Sequence, residues 1–500
     1  MNIGLIPLDE RPVNTRLPQM IGAIGGAQVH LPPAEALPRF RQSADPVALR
    51  AWLEQSAPTF DALVVSFETL GYGGLISSRI SDEGAGEILQ RLAFLSQLKR
   101  TYPRLKLYGF SVITRISRHD DATEEPHYWA QYGSRIFRFS QAQHRFELGQ
   151  DTGTELESLR AEIPVEHLAD FLKRRARNFA VNQAGLRLLA DGTLDWHVIT
   201  SDDTSQYGLG SKDKALLAQM AQMMQVTPRL LMYAGADEVA SVLVARLLND
   251  MHQRRPSYEV RYIVPDGASV IAPFEDVPVE QTVARQIEAV GGRIVEDGGD
   301  IVLVVNPPVH AEAEWVEDYP DETSARERLR YYEHAIAKGW EWLQAGRQVA
   351  LADVAYANGA SHALLNRLNE ALFLLDLCAF GAWNTAGNTL GTVIAQASMS
   401  LLAHTPSAQA ANRRLVAHRL IEDWGYQTLA RTHTRDWLEA RSGVRDVGLV
   451  DAEDARAYIA DELDKFVAWA GLPYQVTEVR LPWQRTFEVD FDLQALEAEA

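Results

Sequence analysis

The chain has 500 residues and is 46% hydrophobic, with 11 Trp, 16 Tyr and 16 Phe, so it exceeds one ordinary domain and can fill a large core. Charged residues make up 23% and the formal net charge is −19, which excludes bulk disorder and argues against a nucleic-acid backbone or an anionic membrane as partner. Its single cysteine, Cys378, excludes an intrachain disulfide and a thiolate-built structural zinc site. Inside the apolar run ALFLLDLCAF that residue reads as a small core side chain.

The start, MNIGLIPLDERP, carries no basic segment and no apolar stretch of export length. Nothing in the sequence approaches the ~18 uninterrupted apolar residues of a membrane span. The expectation is a cytoplasmic protein with no membrane or nucleic-acid partner; its oligomeric state is left open.

Apolar runs then alternate with helical patterns as far as residue 360. The runs are NIGLIPLD, AQVHLPP, DALVVSFE, LKLYGFSVI, WHVITSDD, RLLMYAGADE, YEVRYIVPDG, DIVLVVNPP and QVALADVAYANG. Continuous rather than alternating apolar runs mark strands covered on both faces, as in parallel sheets. Strand–helix alternation of this kind predicts an α/β architecture. Setting AQVHLPP aside as an edge piece leaves eight runs, which favours a (β/α)8-like barrel over an open doubly wound sheet. Residues 1–360 are expected to form the α/β catalytic core, the alternative being a second lobe from about residue 258. Residues 361–500 are expected to be a mostly helical layer, HALLNRLNEALFLLDLCAF among its helices, ending in a β-hairpin within VTEVRLPWQRTFEVDFDL.

Ligands of parallel α/β proteins bind at the carboxyl ends of the strands. Polar residues collect there: Asp9-Glu10-Arg11, Glu68, Thr114-Arg115, Asp202-Asp203, Asp237-Glu238, Asp266, Asn306 and Asp353 to Asn358. Any one of them is explained by helix capping, but caps do not require clusters of acid with acid or acid with base. Two neighbouring carboxylates push their pKa values apart, so one serves as an acid while the other stays charged. Glycosidic bond cleavage needs that division. Asp203 is therefore expected as the general acid and Asp202 as the group that orients or stabilises the reacting centre, with Asp237 and Glu238 in reserve.

Further segments supply expected substrate contacts. PLDERPVNTR offers Asp9 and Arg11, SFETLGYGGLISSR offers Tyr72, and Arg115 and Tyr207 flank the acidic pair. Asn358 stands near the end of the last run, QVALADVAYANG. In GAWNTAGNTLG, the Trp383 indole suits the apolar face of a sugar and Asn384 and Asn388 suit its hydroxyls. TRISRHDDATEEPHYW is the densest polar cluster and offers oxygen and imidazole ligands at His119, Asp120, Asp121, Glu124, Glu125 and His127. It lacks any recognised metal spacing, and a helix start at EEPHYW explains its acids as well.

SDDT and GADE are similar to short motifs of substrate-assisted hexosaminidases. Over the whole chain, PLDERPVN, YGGLISSR, ITRIS with EEPHYW, SDDTSQYGL, GADEVA, NGA and GAWNTAGNTLG resemble a bacterial family of about this length, a domain-of-unknown-function family. That resemblance implies one site built from these segments and assigns no reaction. The leading expectation is a glycoside hydrolase acting on N-acetylhexosamine-containing glycans, small or oligomeric, by carboxylate catalysis and without a cofactor. The alternatives are a divalent-metal-dependent hydrolase, with ligands from Asp9, His119, Asp202, Asp203 or Asp237, and a non-enzymatic carbohydrate- or metabolite-binding protein.

Overall fold

The computed structural model describes residues 1–308, 322–371, 374–446, 449 and 451–496, with only the backbone of 322–327. It divides into two compact units. Unit 1 comprises residues 1–15, 27–244 and 274–276, and unit 2 comprises 16–26, 245–273 and 277–500.

Unit 1 is built on β1 (Asn2–Ile6), β2 (Gln28–His30), β3 (Ala62–Ser66), β4 (Lys106–Ile113), β5 (Trp196–Ser201) and β6 (Leu230–Ala234). Among the described residues these form a sheet of order β2-β1-β3-β4-β5-β6, with every pairing parallel. The sequence explains the central strands. ALVVS of β3 is buried throughout, as the β-branched filling of a two-sided strand must be. One face packs Ile6, Leu63, Val65, Leu107 and Ile199 against three helices. Helix Ala85–Thr101 supplies Ile88, Leu92, Leu95 and Leu98, a spacing of three and four residues that lines up one helical stripe. Helices Val165–Ala190 and Leu209–Met223 add Val181, Leu186 and Leu217.

Unit 2 carries β7 (Ser257–Tyr262), β8 (Arg293–Val295), β9 (Ile301–Asn306), β10 (Gln348–Asp353) and β11 (Ala379–Gly381) in the order β11-β10-β9-β7-β8, again all parallel. Val302, Val304, Val349, Leu351 and Phe380 meet Leu420, Ile421, Trp424 and Phe466 in its core. β12 (Tyr474–Arg480) and β13 (Asp490–Ala495) make an antiparallel pair.

Counted from its own start, each unit places its first strand between the second and third, with the fourth and fifth following outward. That 2-1-3-4-5 arrangement is the order of flavodoxin-like doubly wound sheets, extended by a sixth strand in unit 1. The α/β class with parallel strands is present, and no closed barrel is found among the described residues. No helix among them is long and apolar enough to cross a membrane.

One stretch departs from its expected helix. The helix starting at His362 stops at Glu370, and Ala379–Gly381 pairs with Ala350–Ala352 as β11; residues 372 and 373 of that run lie outside the described residues. A short apolar run buried all round has no period that separates strand from helix. Here the free edge of β10 decides it.

Candidate functional site

Unit 1 shows why β5 ends in two carboxylates. The ladder runs one residue past the strand, Asp202 N–H donating to Ile113 O at 3.2 Å, and the chain then turns at Asp203 with φ 39°. That left-handed conformation is costly for a residue with a Cβ and is tolerated best by Asp and Asn. The turn sends the two side chains to neighbouring guanidiniums. Asp202 Oδ2 accepts from Arg79 Nη2 at 2.6 Å, and Asp203 Oδ2 accepts from Arg115 Nη1 at 3.0 Å.

The same two guanidiniums also hold Glu124 and Glu125. Arg79 Nη1 donates to Glu124 Oε2 at 2.8 Å, and Arg115 donates to Glu124 Oε2 at 3.1 Å and Glu125 Oε1 at 2.9 Å. Arg79 and Arg115 thus face Glu124, Glu125, Asp202 and Asp203, an excess of carboxylate that favours keeping a proton. Burial, reinforced by the charge of Asp202, pushes the Asp203 carboxyl up to about 6 against the pull of Arg115 and Arg79. Burial also raises Glu125, opposed by the same two guanidiniums. Glu68, just past β3, sits in this field. Its Oε1 accepts the Val112 N–H at 2.8 Å, and burial lifts it to about 7 with a further push from Asp202. Asp203 keeps 29% of its side chain exposed and lines a cleft with Arg115, Phe137, Asp202, Ser205 and Tyr207. The cavity there is about 20 Å3, room for a water molecule and little more.

Asp9, Arg11 and Asp237 gather in a second cluster of unit 1. β1 and β6 are not neighbours in the sheet, yet the loops that follow them meet. Arg11 Nη2 donates to Asp9 Oδ2 at 2.7 Å and to Asp237 Oδ1 at 2.6 Å, and Asn14 Nδ2 donates to Asp9 Oδ1 at 2.9 Å. All four side chains are buried. Burial raises the Asp237 carboxyl, opposed by Arg11 and helped by Asp9. An ion cluster so enclosed ties loops together. Glu238 turns inward beneath its own turn, its Oε2 accepting the Ala236 N–H at 2.9 Å. Gly235 precedes it at φ 138°, where a Cβ would run into the Glu238 carboxylate. Tyr72 is buried with the Arg177 guanidinium 5.0 Å above its ring, and it does not line the Asp203 cleft.

Asn358, Trp383, Asn384 and Asn388 belong to unit 2. Asp353 ends β10 and is wholly buried, its Oδ1 accepting from Asn306 Nδ2 at 2.8 Å and its Oδ2 from Ser361 N–H at 2.7 Å. Burial raises that carboxyl to about 6 against these bonds. Beyond β11, Asp423 Oδ2 accepts the Ala382 N–H at 2.6 Å. Asn358 (φ 57°) and Asn384 (φ 61°) are both left-handed, and the N–H of the first donates to the carbonyl of the second at 3.1 Å. Asn388 is buried in the first turn of helix Ala386–Ser400.

The family model described as Protein of unknown function (DUF4127) matches residues 3–492. The chain belongs to that family. The match spans both units and every candidate site residue described above, as the whole-chain resemblance of its motifs implied. No curated protein and no solved structure matches the chain. The hexosaminidase likeness of SDDT and GADE is not shown by these comparisons.

In this DUF4127 member, four acids of the polar segment TRISRHDDATEEPHYW are engaged in other contacts. Asp120 and Asp121 accept backbone N–H groups of Ser134 and Thr123, while Glu124 and Glu125 turn to the guanidiniums. Among the described residues no group of three or more His, Cys, Asp or Glu side chains is arranged to hold a metal ion. The sequence reading gave Arg79 no role and Glu68 only a place among strand-end polar residues. Glu68 lies two residues past β3, and Arg79 lies in the helix Leu75–Ile80 that follows.

Proposed function

We propose that the protein is an acid–base hydrolase of the glycoside hydrolase kind, with Asp203 as proton donor and Asp202, clasped by Arg79, as the group that orients or stabilises the reacting centre. The observation that carries this is the Asp203 carboxyl itself, raised to about 6, strained at φ 39° and open to a cleft. A carboxyl that remains protonated close to neutrality is suited to donate to a leaving oxygen. The substrate class in this reading is a sugar or oligosaccharide, N-acetylated hexosamines first, approached over Tyr207. The reading also takes each sheet as open rather than closed into a barrel, supported by an order that ends in edge strands.

A panel of chromogenic glycosides assayed with wild type and Asp203→Asn tests it. Turnover should fall as pH rises through about 6, when the donor loses its proton, and should drop by about a hundredfold or more in the variant. Absence of turnover on the whole panel removes the proposal.

A further inference from the structure

We propose that unit 1 carries a second ligand site, in a cavity between residues 81–85 and the helix Val165–Ala190, and that it takes a small organic dianion such as a phosphate monoester or a dicarboxylate. Its basis is independent of the Asp203 reading.

The cavity measures about 320 Å3, the size of a small-molecule pocket and far above the void beside Asp203. One wall is the helix, where Asp170, Lys173, Arg174 and Arg177 recur at spacings of three and four residues and so share a face. The other is the turn that leads into the helix Ala85–Thr101.

Three cations on that helix face repel one another, and the surrounding carboxylates answer one of them. Arg174 is clasped twice, its Nε donating to Asp170 Oδ2 and its Nη2 to Asp82 Oδ1, both at 2.6 Å. Glu83 turns to Arg91 instead. Arg177 is 8% exposed and has no carboxylate at ion-pair distance among the described residues. Its N–H groups donate to the carbonyls of Ser78, Ser81 and Glu83 and to Asn178 Oδ1, neutral acceptors that leave its charge unopposed. Burial holds this guanidinium below its ordinary range and the charge of Arg174 pushes the same way, whereas Arg79 and Arg115, set among carboxylates, are shifted upward. Lys173 has no ion-pair or hydrogen-bond partner among the described residues.

A buried charge without a counter-charge is costly, and a ligand that supplies one removes that penalty. Lys173 and Arg177 stand four residues apart, with their Cβ atoms about 6 Å from each other, a separation that two negative charges on one molecule can match. The cavity also has room for carbon atoms beside the charged groups, along Ala85, Ala176 and the Lys173 stem.

The full chain titrated calorimetrically with glycerol 3-phosphate, succinate, inorganic phosphate and glycerol tests this. One or both organic dianions should bind, and which of them binds tighter tells a phosphate head from a carboxylate pair. Lys173→Gln should weaken the binding about tenfold, and Ala176→Trp, whose ring fills the cavity, should weaken it further. Both positions are exposed on the helix. In wild type the affinity should fall as salt is added, a reading that needs no variant. Asp203→Asn should leave it unchanged, and a loss there with none in Lys173→Gln would put the anion in the Asp203 cleft and overturn this site. Unchanged affinity in Lys173→Gln, or glycerol binding as tightly, overturns the dianion. Inorganic phosphate binding as tightly as glycerol 3-phosphate overturns the organic half of the assignment. Unchanged affinity in Ala176→Trp, or no binding of either organic dianion, overturns the cavity as a site.

Discussion

Units 1 and 2 order their parallel strands alike and fill the same strand ends with different chemistry. Past its fourth and fifth strands, unit 1 sets guanidiniums against an excess of carboxylates, so the polar groups there are charged or poised to be. Unit 2 puts its carboxylates underneath, where Asp353 and Asp423 accept backbone N–H groups, and leaves amides and an indole above them. In unit 1 the carboxylates pair with guanidiniums; in unit 2 Asp353 and Asp423 accept backbone N–H groups. The fold decides where polar groups collect, and the side chains decide whether the place is dominated by charge or by neutral polar groups.

That division is broken most severely by removing the central guanidiniums. Arg11→Leu strands Asp9 and Asp237 together in unit 1, and Arg419→Leu does the same to Glu422 and Asp423 in unit 2. Each is expected to cost roughly 3–5 kcal/mol in urea denaturation, the usual result of leaving a buried charge uncompensated. Replacing Arg11, Asp9 and Asp237 together by apolar residues should recover most of that loss. A cost under about 1 kcal/mol for either arginine would mean that these clusters do not hold the loops.

Proton linkage separates the units next. Burial lifts Glu68 to about 7 in unit 1, and burial with Asp423, Glu488 and Asp490 lifts Glu422 to about 8 in unit 2. A free glutamate titrates near ~4.3. Between that value and the folded one, the folded chain holds a proton that the unfolded chain has released. Stability is therefore greatest below the window and falls as pH rises through it. From pH 6.5 to 8.5, Glu422 should contribute a loss of roughly 2 kcal/mol and Glu68 less than about 1 kcal/mol. Buried His418, held well below its usual range, opposes folding only where the unfolded imidazole charges, at and below about 6.5. Thermal denaturation at the two pH values should show the decline, and Glu422→Gln should flatten it more than Glu68→Gln. The reverse ranking would place the stronger pH response in unit 1.

Much of this layout is legible in the sequence, because strands buried on both faces are continuous apolar runs and their carboxyl ends carry the polar residues. VVSFE, ITSDD and LADVA each contain the last residue of a strand, Ser66, Ser201 and Asp353. What the residues alone do not give is partnership. Arg11 and Asp237 lie 226 positions apart, and nothing local tells a carboxylate that binds substrate from one that holds a guanidinium. Glu124 and Glu125 read as ligands for the same reason. β11 is three residues long, too short to show any period.

The smallest effect tests whether the likeness of the two strand ends is more than strand order. Asp203 in unit 1 and Asn384 in unit 2 each follow a fifth strand and each carry a positive φ, 39° and 61°. Substitution by alanine and substitution by glycine both delete the polar side chain, so the partners lost are the same and cancel in the comparison. What differs is the Cβ, which disfavours the left-handed region by about 1 kcal/mol, partly offset by the greater freedom of glycine in the unfolded chain. Glycine should therefore be more stable than alanine by somewhat under about 1 kcal/mol at both positions, read as paired melting temperatures. A difference at both makes the turn a property of the strand order. A difference at Asn384 alone would assign the Asp203 turn to the pull of Arg115, and the two sites would then share a position without sharing its cause.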